Sequence, residues 1–232
     1  MNENLTKAGS LSISGSGEIN GGTYESVQIS GSAKITGDVT ALNRCSCSGS
    51  TKIVGSLKTK QLHCSGSCSI AGSLEAQEIH SSGSWSVGGA MVCQDFRSSG
   101  STKIGKDLRA RTVDCSGALT VHGDVAAEQF TLAGGFSIDG LLNADRIRIK
   151  LGNDAMAREI GGTIVECRSH RSNRFLRVET VEADEIHLEN TLAQVVRGRI
   201  VRIGPACKIQ RVEYAESLEV SPGAEVSQQV KV

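Results

Sequence analysis

The chain has 232 residues, with 25 basic and 25 acidic side chains and no formal net charge. A dedicated nucleic-acid binder normally carries a basic excess, so that class is not expected. Aromatics are only 3% of the chain and prolines number 2, against 27 glycines. A core without aromatic bulk must be thin and filled by small and β-branched side chains.

Residues 1–10 (MNENLTKAGS) read as a flexible lead-in. The N-terminal stretch lacks the apolar run of a secretory signal. No segment approaches the roughly 18 apolar residues of a spanning helix. A cytoplasmic location is therefore expected.

From residue 11 to 150 one period governs the chain. Gly49, Gly66, Gly83, Gly100, Gly117 and Gly134 recur every 17 residues, with Gly15 and Gly31 ahead of them. These read as turn glycines. Four residues after each comes a β-branched position: Ile35, Ile53, Ile70, Val87, Ile104, Val121 and Ile138. Eight after come Val39, Leu57, Leu74, Met91, Leu108, Val125 and Leu142, and four before come Cys45, Leu62, Ile79, Phe96, Val113 and Phe130. Within a repeat the apolar positions step by two, the period of a strand with one buried face. An odd repeat would invert the faces, and a three-residue step, as from Ala110 to Val113, restores the phase. The chain must turn there. This predicts a right-handed parallel β-helix of about 17 residues per coil, with coils stacked at the inter-strand spacing of about 4.8 Å and equivalent residues forming interior ladders. The left-handed hexapeptide solenoid is the alternative, and its six-residue unit is missing.

Several motifs inside this region suggest chemistry. Gly100-Ser-Thr-Lys-Ile-Gly105-Lys106-Asp107 nearly matches a P-loop, but Asp107 stands where Ser or Thr should hold magnesium. The loop also leads into strand positions Leu108 and Ala110 instead of a helix. Cys45-Ser-Cys47 and Cys64-x3-Cys68 suggest clustered thiolates for a metal. The repeat places Cys47, Cys64 and Cys115 at one inward position, shared with Ile29 and Leu132, and Cys68 at that of Trp85 and Phe136. The preferred reading is small buried hydrophobes, with a metal or a stacked Cys47–Cys64 disulfide as alternatives. His63 and His80 fall one coil apart on the outside, as a solvated pair. No Ser, His and Asp set recurs at coil spacing.

Residues 151–180 read as an irregular charged insertion. Its basic run, Arg168, Arg171, Arg174 and Arg177, is a candidate patch for an anionic partner or a solvated loop paired with the acidic stretch Glu179, Glu182, Asp184, Glu185 and Glu189. Residues 181–232 read as a degenerate continuation of the solenoid, through Ile186/Leu188, Val201/Ile203 and Leu218/Val220.

The coils VQISGSAKITGDVTA (27–41), LHCSGSCSIAGSLEA (62–76) and VDCSGALTVHGDVAA (113–127) resemble the bactofilins, polymer-forming cytoskeletal proteins of bacteria. The resemblance covers about residues 11–149. It implies a roughly triangular β-helix that polymerises without nucleotide into filaments or sheets and supports cell shape, motility or envelope organisation. Several such proteins touch the inner face of the membrane. The scarcity of proline and the charged C-terminal third depart from the family pattern.

A solenoid has two open ends, each with unpaired backbone groups and a slice of the apolar column. No capping helix is evident here. The candidate polymer ends are Leu11, Ile13 and Ile19 at one side and Val226, Val230 and Val232 at the other. The expected function is a structural scaffold that assembles with itself, or with a related bactofilin-like chain, with the inner membrane as a further contact. No catalytic residue, metal, cofactor, small-molecule substrate or nucleic-acid partner is expected. A monomeric adaptor would need capped ends, and a β-helical enzyme would need outward ladders of Asp, Glu or His.

Overall fold

The computed structural model describes residues 9–169 and 173–232. Among them every regular element is a β-strand and none is a helix. The chain divides into two compact units, which meet in sequence at Gly105 and Lys106.

The first unit carries β1 (Leu11–Ile13), β2 (Ser16–Ile29), β3 (Ser32–Cys47), β4 (Ser50–Ile53), β5 (Leu57–Cys64), β6 (Ser67–Ile70), β7 (Leu74–Glu75), β8 (Glu78–Ser81), β9 (Ser84–Val87), β10 (Met91–Val92), β11 (Asp95–Ser98) and β12 (Ser101–Ile104). Each pairs in parallel with the strand one coil away, which makes the unit a parallel β-solenoid. The register follows the sequence period. Ile35 stands on Ile53, Ile53 on Ile70, Ile70 on Val87 and Val87 on Ile104. All five are buried, at 0–1% exposure. A second ladder runs Val27, Cys45, Leu62, Ile79 and Phe96. β-Branched side chains suit such columns because their stiff χ1 packs well against copies of themselves.

The glycines at the repeat corners are required by close stacking more than by backbone twist. A Cβ on Gly66 would run into the carbonyl oxygen of Gly49, and one on Gly83 into that of Gly66. Only Gly134 of this series has a φ in the glycine-favouring range. The next amide crosses the same gap: Ser67 N–H donates to the Gly49 carbonyl at 3.0 Å, and Ser50 N–H to Gly31 at 3.0 Å.

The second unit carries β13 (Leu108–Arg109), β14 (Thr112–Cys115), β15 (Ala118–Val121), β16 (Val125–Leu151), β17 (Ala155–Ser169), β18 (Leu176–Leu188), β19 (Thr191–Ile203), β20 (Lys208–Val220) and β21 (Glu225–Lys231). It is also a parallel solenoid, with Val121 on Ile138 and Val113 on Phe130. The stretch 151–180, expected as an irregular insertion, holds a full strand in register on both sides. Ile147 pairs with Val165, Val165 with Ile186 and Ile186 with Val201. What changes is the coil length. Residues 186 and 201 are one coil apart, so the step there has shortened from 17 residues to 15. Inward residues then fall in pairs separated by threes: Leu176 and Val178, Val181 and Ala183, Ile186 and Leu188, all buried. A search for 17-residue spacing passes over this pattern. The step returns to 17 where Val201 meets Leu218.

Gly100–Gly105 lies in β12 and its flanks. Thr102 points inward at 1% exposure, and the chain continues into a strand at Leu108. A P-loop needs a helix N-terminus behind it to hold phosphate, and this segment has none.

Candidate functional site at the open strand edges

At the N-terminal edge β1 pairs with β2 alone, and residues 16–24 of β2 pair with β3 but with no described strand on their other side. Ile19 stands on the fully buried Ile35 and is itself half-buried. Leu11 is half-buried, while Ile13 is shielded to 8% exposure. Tyr24 covers part of this edge: its ring lies over Gly22, and its hydroxyl donates to the Asn20 carbonyl at 3.0 Å.

At the C-terminal edge β21 pairs with residues 208–214 of β20 and with no other described strand. Residues 217–220 of β20 pair inward with β19 and have nothing beyond them. Their side chains show the consequence. Val201 and Ile203 are 0% and 1% exposed, whereas Val220, which stands on Ile203, is 38% exposed. Leu218, which stands on Val201, is half-buried.

Of the three valines expected to form this end, Val226 alone continues a buried ladder, through Ile209 to Ala193. Val230 registers with Glu213, and Gln229 takes the place above the buried Val212. Val232 is 71% exposed. The reason is the corner. Val212 follows Ile209 by three residues, so the partner of Val212 must follow Val226 by three and is Gln229. The end surface is therefore made by Leu218, Val220 and Val226.

The basic run does not act as one patch. Arg171 lies outside the described residues. Arg168 registers with Lys150 near the end of β17, and Arg177 stands at the start of β18 between Met156 and Leu192. Arg177 reaches Asp154 at 3.7 Å. The Phe175 N–H, at 3.0 Å, together with Arg177 and Arg174 holds the Asp154 carboxyl below the usual carboxylate range. The Arg174 Nε is buried without a partner.

The acidic stretch pairs with later arginines one coil on. Arg197 bridges Glu182 at 3.0 Å and Glu213 at 2.6 Å, and Arg199 bridges Glu185 at 3.7 Å and Glu216 at 2.7 Å. Exposed pairs of this kind contribute little individually. Stacked in register, they favour one alignment of coils over a slipped one.

The histidines form a stacked pair, His63 and His80, with ring centroids 5.2 Å apart and 7° between planes. Burial first, then Arg44 and His80, lower the His63 pKa. His122 reaches Asp139 at 2.8 Å on the surface.

The cysteines meet more closely than the ladder positions alone suggested. The Sγ atoms of Cys47, Cys64 and Cys68 all lie within 4.8 Å of one another, and the Cys45 and Cys47 Sγ atoms are 3.9 Å apart. One corner further along, Trp85 Nε1 donates to Thr102 Oγ1 at 2.8 Å, and Ser98 and Thr102 hydroxyls are 3.0 Å apart. This polar lining escaped the sequence reading because each residue fills an inward slot that is elsewhere apolar. The converging positions two before and two after a corner glycine would have located it.

The chain is 59% identical to the uncharacterized protein YhbE of Bacillus subtilis (strain 168), over 96% of the chain and 98% of that protein. It is 36% identical to the uncharacterized protein YhbF of the same organism over 99 residues, 40% of the chain and 42% of that protein. No family model matches the chain. No solved structure matches it.

Proposed function

We propose that this chain, which belongs to the YhbE family, is a bactofilin-like structural scaffold that assembles with itself, without nucleotide, into filaments or sheets. The observation that carries this is the state of the two edges. Each terminal strand has one unpaired side, and the ladders behind it are buried at 0–1% until the last coil, where Val220 reaches 38%. Pairing an edge with a strand of another copy would satisfy its backbone groups and cover its apolar residues, as it does at every interior coil. Among the described residues no helix covers either edge. Such a polymer needs no catalytic group and would serve cell shape, motility or envelope organisation in a bacterium.

The test is negative-stain electron microscopy and sedimentation of the purified chain without nucleotide, beside a Leu218→Glu plus Val226→Glu variant. Filaments or sheets that pellet, and that the variant loses while keeping its β-sheet circular dichroism, are the expected result. A monodisperse chain at high concentration would overturn the proposal.

A further inference from the structure

We propose that the cysteine corner of the first unit binds one thiophilic d10 metal ion, such as Cu(I) or Zn(II), through Cys47, Cys64 and Cys68. The site is independent of self-assembly.

Its geometry follows from the repeat. In Cys64-Ser-Gly66-Ser-Cys68 the two cysteines stand two residues either side of the corner glycine, and both point inward. Their side chains converge on the inside of the bend. Cys47 has the same place before Gly49 and stands one coil below Cys64. The three sulfurs thus come from two coils and lie within 4.8 Å of one another. A three-coordinate thiolate site with metal–sulfur bonds of about 2.3 Å sets its sulfurs about 4 Å apart. Side-chain rotation of a few tenths of an ångström closes the difference.

A second observation points to a ligand. Thr51 and Ser81 flank the cluster, Thr51 beneath Cys68 and Ser81 above Cys64. They are 3% and 6% exposed, and neither hydroxyl oxygen has a hydrogen-bond partner. Buried polar groups are nearly always satisfied, and an exception calls for an ion or a water. In the neighbouring coils the same corner closes on itself, through Trp85, Thr102 and Ser98. Only around the thiols is it left open-handed.

The electrostatics agree. The thiols of Cys45, Cys64 and Cys68 all donate toward Cys47, and this holds the Cys47 thiol below its ordinary range despite burial. A thiolate there is the first ligand, and soft sulfur selects d10 ions over magnesium or calcium. Coordination ionises the three thiols, with any proton still present released to solvent. The wall over the cluster is Ser48-Gly49-Ser50 and Ser65-Gly66-Ser67, whose serines face solvent and whose glycines add no side chain. An ion has little bulk to pass.

The experiment uses the full chain, reduced and stripped of metal, titrated with Cd(II) and followed by thiolate-to-metal charge-transfer absorption. One equivalent should bind, a Zn(II) excess should displace it, and the melting temperature should rise on loading. Cys68→Ala and Cys47→Val should each weaken uptake at least tenfold, while Cys93→Ala should leave it unchanged. Both test variants keep a residue type native to their ladder, since Ala33 and Ile29 occupy the equivalent slots, and circular dichroism confirms their fold. Absence of saturable uptake, or uptake that survives both variants, would overturn the site and leave the thiols as core filling.

Discussion

Replacing Gly66 with alanine should destabilise the chain, whereas the same change at Gly15 should not. A methyl at Gly66 would collide with the Gly49 carbonyl oxygen. That oxygen also accepts the Ser67 N–H at 3.0 Å, so the coil cannot lift away without stretching the bond. Leaving a buried amide unsatisfied costs about 1–3 kcal/mol. Forcing a methyl group into closed packing costs about 1–3 kcal/mol more. Gly66 does not have a left-handed φ, so the cost is steric. Gly15 holds the same place in the repeat, but a Cβ there meets nothing within 4 Å because no described coil lies beneath it. There alanine only restricts the unfolded chain, which stabilises by about 0.4–1 kcal/mol. Thermal unfolding followed by far-ultraviolet circular dichroism reads the difference. At about 2–4 °C per kcal/mol for a chain of this size, Gly66→Ala should lose roughly 5–20 °C and Gly15→Ala nothing. Equal losses at the two sites, or none at Gly66, would refute the stacking argument. If the N-terminal edge receives another copy, Gly15→Ala should also pellet less while melting no lower.

Further expectations are more local. Ile53→Ala, at a fully buried ladder position, should cost about 2–5 kcal/mol, and Ile53→Val much less; denaturant midpoints would tell. Thr102→Val strands the Trp85 Nε1–H and should cost about 1–3 kcal/mol, which an added Trp85→Phe should largely restore in the same assay. Glu213 is held below the ordinary carboxylate range by Arg197 first and then by Arg211. A depressed carboxyl contributes stability that is present above its unfolded pKa and lost as pH falls through its folded value, so this contribution disappears only in acid, below about pH 4.5. Arg197→Gln should move the Glu213 titration upward by NMR, and an unmoved titration would remove Arg197 as the cause. Burial pushes the Cys93 and Cys167 thiols up to about 12. Neither should react with a thiol reagent at pH 8 until the chain is unfolded, and rapid native labelling would contradict their placement.

Legibility in the sequence varied with the regularity of the coil. Between residues 27 and 149 the apolar steps name nearly every buried position, because a repeat of constant length carries its phase forward. Past Leu151 the coil shortens, and Ala155, Ala157, Ile160, Val165 and Cys167 keep their inward phase with no 17-residue echo. Their glycine and charged neighbours then read as an insertion. At the C-terminal edge, one three-residue corner step moved the expected ladder from Val230 to Gln229. The charge runs failed for a similar reason. Glu182 finds Arg197 because a coil of 15 residues sets them side by side, and spacing of 17 gives no such pair.

The sequence alone determined the parallel solenoid, its 17-residue coil and the identity of its interior ladders. Side chains that recur at a constant interval must stack if each coil repeats the last. Only the tertiary structure decided which residues meet around a corner: the Cys47, Cys64 and Cys68 sulfurs, the unpartnered Thr51 and Ser81 hydroxyls, and the half-bare Leu218 and Val220. Those meetings depend on the angle of the bend and the local coil length, and neither is written in the spacing of apolar residues along one strand.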